Sequence, residues 1–190
     1  MINLKFKKSV KKGWFGKVYA GGGKGSVGHY EAGGIVNSFR DTLQVSMLGY
    51  TNNINKAGFG YGDIIQLGVF NEVVPIVLVL GQRIAINGIS FGATGTGIQQ
   101  STGAGININH DPSKKVQLNF QYFLGKINSN YNAISNTSQY LEDTVLKTFN
   151  NTKNTNEDIS QRFWFRLKWK IDSLSSIDFT PIFIHRNRTG

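Results

Sequence analysis

Residue types that carry out catalysis or hold metal ions are scarce in this chain. It has no Cys and only three His, at positions 29, 110 and 185, far apart in the sequence. The absence of Cys excludes a disulfide, a thiolate zinc site and a cysteine nucleophile. Acidic pairs occur at 142–143 and 157–158, in polar stretches where they are most simply solvated charges. We therefore predict no catalytic residue, no metal site and no cofactor.

Two glycine-rich segments resemble phosphate-binding loops only in part. Residues 21–26 (GGGKGS) lack the first Gly of a P-loop, and Gly25 stands where Ser or Thr should follow Lys24. Residues 92–97 (GATGTG) have their glycines in the wrong order for a dinucleotide fingerprint, and no helical pattern follows them. The first segment is typical of a flexible hairpin turn and the second of a loop.

The formal net charge is +10, and the positive charge is concentrated in two places. Residues 1–24 contain seven Lys and no acid, which predicts either an arm that binds nucleic acid or a solvated connecting segment. Because the flanking residues follow strand patterns and not those of a recognition module, we favour the second and expect no nucleic-acid partner. The other place is segment 161–171, where basic and apolar residues alternate.

Strict alternation predicts that these side chains lie on β-strands. Segments 115–124 and 161–171 each have an apolar and a polar or basic face, and further strands are predicted at 2–7, 13–23, 29–39, 42–52, 104–109 and 176–184, the last weakened by Pro181. The predicted apolar faces carry Val116, Leu118, Phe120, Tyr122, Phe163, Phe165, Leu167 and Trp169. The predicted polar faces carry Gln117, Asn119, Gln121, Arg162, Arg166, Lys168 and Lys170.

The predicted connections between strands alternate in length. Short turns are predicted at 40–41, 110–113 and 172–175. Residues 53–100 and 125–160 are predicted to form long loops, and residues 139–148 could form a short helix. Short turns at one end of a sheet and long loops at the other are typical of outer-membrane β-barrels.

These patterns predict an all-β fold, an antiparallel β-meander of about seven strands. In a soluble sandwich a second sheet would cover the apolar face, whereas in a membrane barrel that face would meet lipid. The longest apolar run, at 73–80 (VVPIVLVL), is too short for a membrane-spanning helix. Aromatic residues crowd the strand ends, as in the girdles of membrane barrels, and we therefore favour part of a transmembrane barrel wall. About seven strands would leave this wall open, because single-chain barrels have an even number and usually at least about eight.

Several segments resemble one family. Residues 2–8 (INLKFKK) followed by 13–18 (GWFGKV) resemble the end of the plug and the first barrel strand of TonB-dependent receptor-like outer-membrane β-barrel proteins. Segments similar to the subgroup with a carboxypeptidase-regulatory-like N-terminal domain are 30–34 (YEAGG), 52–59 (NNINKAGF), 87–92 (NGISFG), 104–111 (AGININHD) and 166–176 (RLKWKIDSLSS). The resemblance extends over nearly the whole chain, and its motifs are structural and not catalytic.

The resemblance implies a division into residues 1–12, the end of the plug and its connection, and residues 13–190, a partial outer-membrane barrel. It implies an internal fragment of a larger receptor, without the signal peptide, regulatory-like domain, TonB-contacting segment and most of the plug. The apolar segment 64–86 departs from the family pattern. The implied partners are outer-membrane lipid, the missing plug and barrel strands, and the TonB system, and the implied location is the cell outer membrane.

The function expected on this basis is that of a barrel-wall segment in a receptor for a bulky nutrient, without catalytic chemistry. The polar faces would line the lumen, where their basic residues would pair with plug carboxylates or attract an anionic solute. The alternative is a soluble or surface β-sheet module that binds a glycan or polyanion. Cover over the apolar face distinguishes the two, because only the soluble module requires it.

Overall fold

The computed structural model describes residues 12–59 and 97–190, together with the backbone of three short strands between them. All regular structure in these residues is β, and they contain no helix long and apolar enough to cross a membrane. The strands are β1 (Lys12–Lys24), β2 (Gly28–Arg40), β3 (Leu43–Asn52), β4 (Val77–Leu80), β5 (Arg83–Ile86), β6 (Ile89–Ser90), β7 (Ile98–Ser113), β8 (Val116–Leu141), β9 (Thr144–Lys170), β10 (Ser176–Phe179) and β11 (Ile182–Thr189).

Eight of these strands form one antiparallel sheet, the main sheet, in the order β1-β2-β3-β7-β8-β9-β10, with β11 also paired with β9. Strands β10 and β11 follow a single register on β9, interrupted only at Thr180 and Pro181, so that the eight strands fill seven positions. Strands β4, β5 and β6 form a separate three-stranded sheet. The predicted all-β meander of about seven strands is confirmed, and within the described residues the main sheet is not closed.

The register of the main sheet determines which side chains share a face. Ser46 pairs with Asn37 on β2 and with Asn107 on β7, and Asn107 pairs with Gln121 on β8. Paired residues point to the same side and successive residues to opposite sides. The side of these four residues, the inner face, carries odd-numbered residues of β1, β2, β7 and β8 and even-numbered residues of β3, β9, β10 and β11. The opposite side is the outer face.

The apolar core lies on the inner face. Residues 53–59 leave β3 without strand structure and fold back, so that Phe59 contacts the rings of Tyr19 and Tyr50 edge-on, with centroids 5.7 and 5.8 Å away. The Tyr19 hydroxyl donates a hydrogen bond to the carbonyl oxygen of Gly58. Further buried apolar residues of this face are Ile35, Leu48, Phe123, Ile127 and Trp164.

Glycines on the inner face leave room for aromatic rings on the neighbouring strands. Each of four glycines pairs directly with an aromatic residue whose ring lies where its Cβ would be, and these pairs are Gly13 with Phe39, Gly33 with Tyr19, Gly103 with Tyr50 and Gly105 with Phe123. A ring that lies across a glycine covers its bare backbone and lets the strands curve. The sequence shows these glycines, but their partners become visible only with the register.

The predicted long loop at 125–160 is wrong. Strands β8 and β9 continue through it in one unbroken register, from the pair of Val116 and Trp169 to the pair of Leu141 and Thr144. The short helix considered for 139–148 is also wrong, because residues 142–143 form the hairpin turn. Most side chains from 132 to 153 are exposed on both faces, so hydrophobic alternation gives little indication of these strands. We call residues 131–154 the projecting hairpin.

Other predicted boundaries need smaller corrections. The turn predicted at 110–113 lies at Lys114 and Lys115 instead. Strand β7 continues through Asp111 and Pro112 to Ser113, and its register with β8 shifts between His110 and Ser113. The loop predicted at 53–100 is confirmed only for 53–59, since β4, β5, β6 and the start of β7 lie within its range. Lys12 belongs to β1 and not to a preceding connection. The strand predicted at 2–7 and the remainder of the segment 64–86 lie outside the described residues.

The turn predicted at 172–175 is confirmed. Asp172 Oδ1 accepts hydrogen bonds from the backbone N–H groups of Leu174 and Ser175, each at 2.7 Å. These bonds favour the ionised carboxylate and hold the pKa of Asp172 below its usual value. The turn brings β10 back onto β9 with Ser176 opposite Lys170.

The glycine–aromatic pairs predict a strong dependence on side-chain size. A Cβ at Gly105 would overlap the ring of Phe123, which is 4% exposed and cannot easily move away. We expect Gly105→Ala to lower the free energy of unfolding by about 1–3 kcal/mol, as overpacking does. Urea titration of the refolded chain, followed by tryptophan fluorescence, would measure it. Gly23→Ala is the control, since its Cβ would have no atom within 4 Å, and equal shifts in the two variants would contradict the explanation.

Candidate functional site

The structure brings together the residues of each predicted face. On the inner face Gln117 pairs with Lys168 and Asn119 with Arg166, while Gln121 pairs with Trp164. Arg162 and Lys170 lie on the same face of β9. On the outer face the predicted apolar residues also form direct pairs, which are Val116 with Trp169, Leu118 with Leu167, Phe120 with Phe165 and Tyr122 with Phe163. That the inner-face residues border a lumen and the outer-face residues contact lipid remains a prediction.

A row of small polar side chains crosses the inner face. Asn37, Ser46, Asn107 and Gln121 stand side by side on four adjacent strands and are between 0% and 3% exposed. We call them the polar row. Both amide atoms of Asn37 and Asn107, the Ser46 hydroxyl and Gln121 Nε2 are buried and have no hydrogen-bond partner among the residues that the structure describes. Such groups are normally satisfied by water or another polar molecule, so this face is adapted to contact with polar groups.

The next inner-face row carries charge as well as amides. Asn119 Nδ2 donates a hydrogen bond to Asn109 Oδ1 on the neighbouring strand. Arg166 forms two hydrogen bonds with Asp178 of β10, from Nε at 3.0 Å and from Nη2 at 2.6 Å. Arg166 is therefore paired inside the sheet, whereas the predicted pairing of the basic face with plug carboxylates stays a prediction.

The outer face is apolar and exposed over most of its width. On β3, Met47 is 56% exposed, whereas its neighbour Ser46 on the inner face is 1% exposed. Phe163 is 36% exposed and Phe183, which lies beside it on β11, is 63% exposed. Large apolar side chains that belong to this face and are likewise exposed are Trp14, Val18, Val36, Leu43, Leu124, Trp169, Ile177 and Phe179.

Beyond the apolar part, the outer face becomes polar. Lys126 forms an ion pair with Glu157 at 2.7 Å. Nearby, Gln100 Nε2 donates a hydrogen bond to the Tyr30 hydroxyl at 2.7 Å, beside an open cleft of about 270 Å³. The cleft is lined by Tyr30, Asn53, Ile98, Gln100, Asn128 and Asn130. Sequence reasoning missed it, because its residues come from segments that only the register joins.

No catalytic constellation is visible in the part of the chain that the structure describes. His29, His110 and His185 lie on three different strands, and the described residues contain no group of three or more His, Cys, Asp or Glu that could hold a metal ion. Residues 21–26 lie in the hairpin between β1 and β2, as predicted for the first glycine-rich segment. Most of the second, at 92–97, lies outside the described residues.

Sequence reasoning also missed the polar row. Asn37, Ser46 and Asn107 lie on strands that it predicted, but alternation within one strand does not reveal which residues meet across strands. Trp164 lies on the same face as the basic residues of β9 and is only 4% exposed, which alternation within β9 does not indicate. The signal that could have found the row is the small polar residue at the same alternating position of several strands.

Comparisons with known proteins do not identify the chain. No family model, no curated protein and no solved structure matches it.

The two inner-face rows predict losses of different size on truncation. Ser46→Ala removes a hydroxyl that has no partner among the described residues and is expected to change the free energy of unfolding by less than about 0.5 kcal/mol. Asn119→Ala removes a hydrogen bond and leaves Asn109 without it, at an expected cost of about 1 kcal/mol. Urea midpoints of both variants would test this. A larger loss for Ser46→Ala would show that another molecule binds its hydroxyl.

Proposed function

We propose that this chain forms part of the wall of a transmembrane β-barrel in an outer membrane, with its outer face in contact with lipid. The observation that carries the proposal is the distribution of polarity over the main sheet. Small polar side chains such as Asn37 and Asn107 are fully buried on the inner face, whereas large apolar ones such as Met47 and Phe183 are exposed on the outer face. A soluble protein has the reverse arrangement, and a membrane barrel has this one.

The size of the apolar area supports lipid contact. The apolar part of the outer face, here named the apolar belt, extends on β8 from Val116 to Leu124 and crosses all seven positions of the sheet. On the other strands the apolar belt is shorter, so that the mean length is about three steps of about 6.7 Å between successive residues of one face. With strands about 4.8 Å apart, the belt covers about 600–700 Å². Soluble monomers rarely expose a contiguous apolar patch above about 300–600 Å².

The slant of the apolar belt also supports a barrel. On β9 the apolar belt extends from Trp169 to Phe163, and on β2 it extends from Val36 to Ala32. Counted in rows of paired residues, one end of the belt shifts by three rows between these strands, from Trp169 to Val36, and the other end shifts by two rows, from Phe163 to Ala32. A shift of about 13–20 Å over four strand spacings of about 19 Å in total corresponds to strands inclined by about 35–45° from the perpendicular to the belt. Strands of outer-membrane barrels are tilted from the membrane normal by about the same angle.

The receptor part of the proposal is supported by the family resemblance alone. On that resemblance, the parent protein takes up a bulky nutrient with energy delivered by TonB, and the chain has no catalytic chemistry of its own. The inner face would then border the lumen, where the unpartnered amides of the polar row would contact water or the plug.

A second candidate is a soluble or surface module that binds a glycan. The observation that favours it is the cleft at Tyr30, where an aromatic ring stands among the amides of Gln100, Asn128 and Asn130. Aromatic surfaces and amides together suit a ligand rich in hydroxyl groups. This candidate requires protein or ligand cover over the apolar belt, and the exposed Met47 and Phe183 count against it.

Lipid contact can be tested with single cysteines, because the chain has none of its own. The refolded chain would be labelled with an environment-sensitive fluorophore at Leu118→Cys on the outer face or at Gln117→Cys on the inner face, in vesicles with lipids brominated near the bilayer centre. We expect strong quenching at position 118 and weak quenching at position 117. Equal quenching, or none at position 118, would contradict the proposal.

A charge placed in the middle of the apolar belt should destabilise the inserted chain. Phe120 occupies the central row of the belt on β8, so Phe120→Arg is expected to cost about 2–4 kcal/mol in vesicles. Asn130→Arg, on the same face of β8 but beyond the belt, is expected to cost at most about 1 kcal/mol. Urea titration in lipid vesicles would compare them. Similar costs would show that the belt does not lie in lipid.

A further inference from the structure

The cleft at Tyr30 lies on the outer face directly beyond the apolar belt. On β2 the belt ends at Ala32, and Tyr30 is the next outer-face residue. On β8 the belt ends at Leu124, and Asn128 lies two outer-face positions beyond it. Because successive residues of one face are about 6.7 Å apart and the strands are tilted by about 35–45°, the cleft lies about 5–10 Å beyond the belt. In the proposed membrane position this is the depth of the lipid headgroups, which extend about 5–8 Å beyond the hydrocarbon on each side.

The aromatic wall of the cleft is held in place by hydrogen bonds. The backbone N–H of Asn53 donates to the carbonyl oxygen of Tyr30 at 3.1 Å, and Asn53 Oδ1 accepts from the Tyr30 N–H at 2.7 Å. Asn53 Nδ2 donates to the carbonyl oxygen of Gly28 at 2.8 Å, and Gln100 Nε2 donates to the Tyr30 hydroxyl at 2.7 Å. A ligand that stacks on this ring therefore does not have to order it, which lowers the entropic cost of binding.

The free hydrogen-bonding groups of the cleft suit hydroxyl groups. The Tyr30 hydroxyl accepts from Gln100 and keeps its own hydrogen to donate. Asn128 Oδ1 is buried and has no hydrogen-bond partner among the residues that the structure describes, so the amide can turn to a ligand without losing a bond inside the protein. Ile98 is 54% exposed and offers apolar surface to the C–H groups of a ligand. Apolar surface with a few polar groups is typical of ligand sites.

The charges near the cleft disfavour a phosphate and leave a neutral saccharide. The lining residues that the structure describes are uncharged. Lys126 lies one outer-face position before Asn128, but its ammonium pairs with Glu157 at 2.7 Å, and Glu157 stands directly opposite Asn128. A phosphate would therefore meet a carboxylate beside the cleft, and like charges repel. The cleft volume of about 270 Å³ has room for a terminal sugar unit and not for a long polymer.

A shallow trough leads from the cleft onto the apolar belt. One outer-face row of paired residues runs from Val18 through Gly34, Gly49 and Ala104 to Leu124, so that two large side chains flank three small residues. A Cβ at Gly49 would meet a single atom within 4 Å, the carbonyl oxygen of Gly103 at 3.8 Å. The trough therefore offers space for an acyl chain directly below the cleft.

We propose that the cleft at Tyr30 binds the neutral saccharide headgroup of a glycolipid, with an acyl chain of the same molecule in the trough. The proposal rests on the membrane position of the proposed barrel wall. It differs from the second candidate function, in which a free glycan binds and other material covers the apolar belt. Strand β8 leads from the cleft into the projecting hairpin, and long connections mark the extracellular side of outer-membrane barrels. The glycolipid therefore belongs to the leaflet on that side.

The test is photolabelling of the refolded full chain in phosphatidylcholine vesicles. The probe is digalactosyldiacylglycerol with a photoreactive diazirine on its terminal sugar, and mass spectrometry locates the labelled residues. Asn128→Ala removes the unpartnered acceptor of the cleft, and Gly49→Leu fills the trough. Asn187→Ala is the control, on the outer face of β11 and outside the cleft. Circular dichroism checks that each variant retains its β-structure. Unlabelled glycolipid, phosphatidylglycerol and the free disaccharide melibiose serve as competitors.

We expect labels on residues 28–30, 98–100 and 128–130. Labelling should fall about five- to tenfold in Asn128→Ala, as the loss of one hydrogen bond implies, and it should fall in Gly49→Leu but not in Asn187→Ala. Unlabelled glycolipid should compete, whereas phosphatidylglycerol and melibiose at the same concentration should not.

Equal labelling of Asn128→Ala and Asn187→Ala, or equal competition by phosphatidylglycerol, would overturn the proposal. Competition by melibiose together with unchanged labelling of Gly49→Leu would overturn it in favour of a free saccharide. Quenching at position 118 in the same vesicles separates this proposal from the proposed function. Quenching with failed labelling contradicts the glycolipid site alone, whereas absent quenching contradicts the membrane position and the glycolipid site with it.

Discussion

The antiparallel register of the main sheet, interrupted only between His110 and Ser113 and at Thr180 and Pro181, is the constraint on which the other features depend. It extends from the pair of Lys12 and Arg40 to the pair of Thr189 and Glu157 and assigns every side chain to one of two faces. A slip of one residue would exchange the faces of a whole strand, bringing Met47 to the buried side and Ser46 to the exposed side. Because polarity differs so strongly between the faces, such a slip would be costly. The register is therefore specified by the sequence along most of its length.

The inner face combines two kinds of packing along the strands. At one end of the inner face, glycines accommodate the rings of Tyr19, Tyr50 and Phe123, and Gly58 and Phe59 contact the first two rings. Further along, the polar row and the row of Arg166 replace the apolar side chains. The polar part offers amides and hydroxyls to which no residue in the described part of the chain forms a hydrogen bond. In a barrel these polar rows could be hydrated, which would make their burial tolerable.

Sequence reasoning predicted the fold class, most strands and the two faces of β8 and β9, because alternation of apolar and polar residues is a local signal. It failed for the projecting hairpin, where Asn, Ser and Thr occupy both faces and local polarity resembles that of a loop. It also failed for the polar row and for the glycine–aromatic pairs, since both arise between strands distant in sequence, such as Asn107 and Ser46. The turn after β7 was misplaced by a few residues because Asp111 and Pro112 favour turns. In the structure both residues belong to β7, at a shift of its register with β8.

The outer face and the free edge of β11 present the same physical problem. An exposed apolar belt and an edge with every donor and acceptor available both favour association, and in water they favour aggregation. Natural sheets usually protect such an edge with an inward charge, a bulge or a proline. Pro181 lies between β10 and β11, but the side of its missing N–H faces β9, so that it does not protect the edge. Lipid would satisfy the belt but could not satisfy the edge, because hydrocarbon offers no hydrogen bonds. A sheet of this kind in a membrane therefore requires polypeptide at its edges as much as it requires lipid on its outer face.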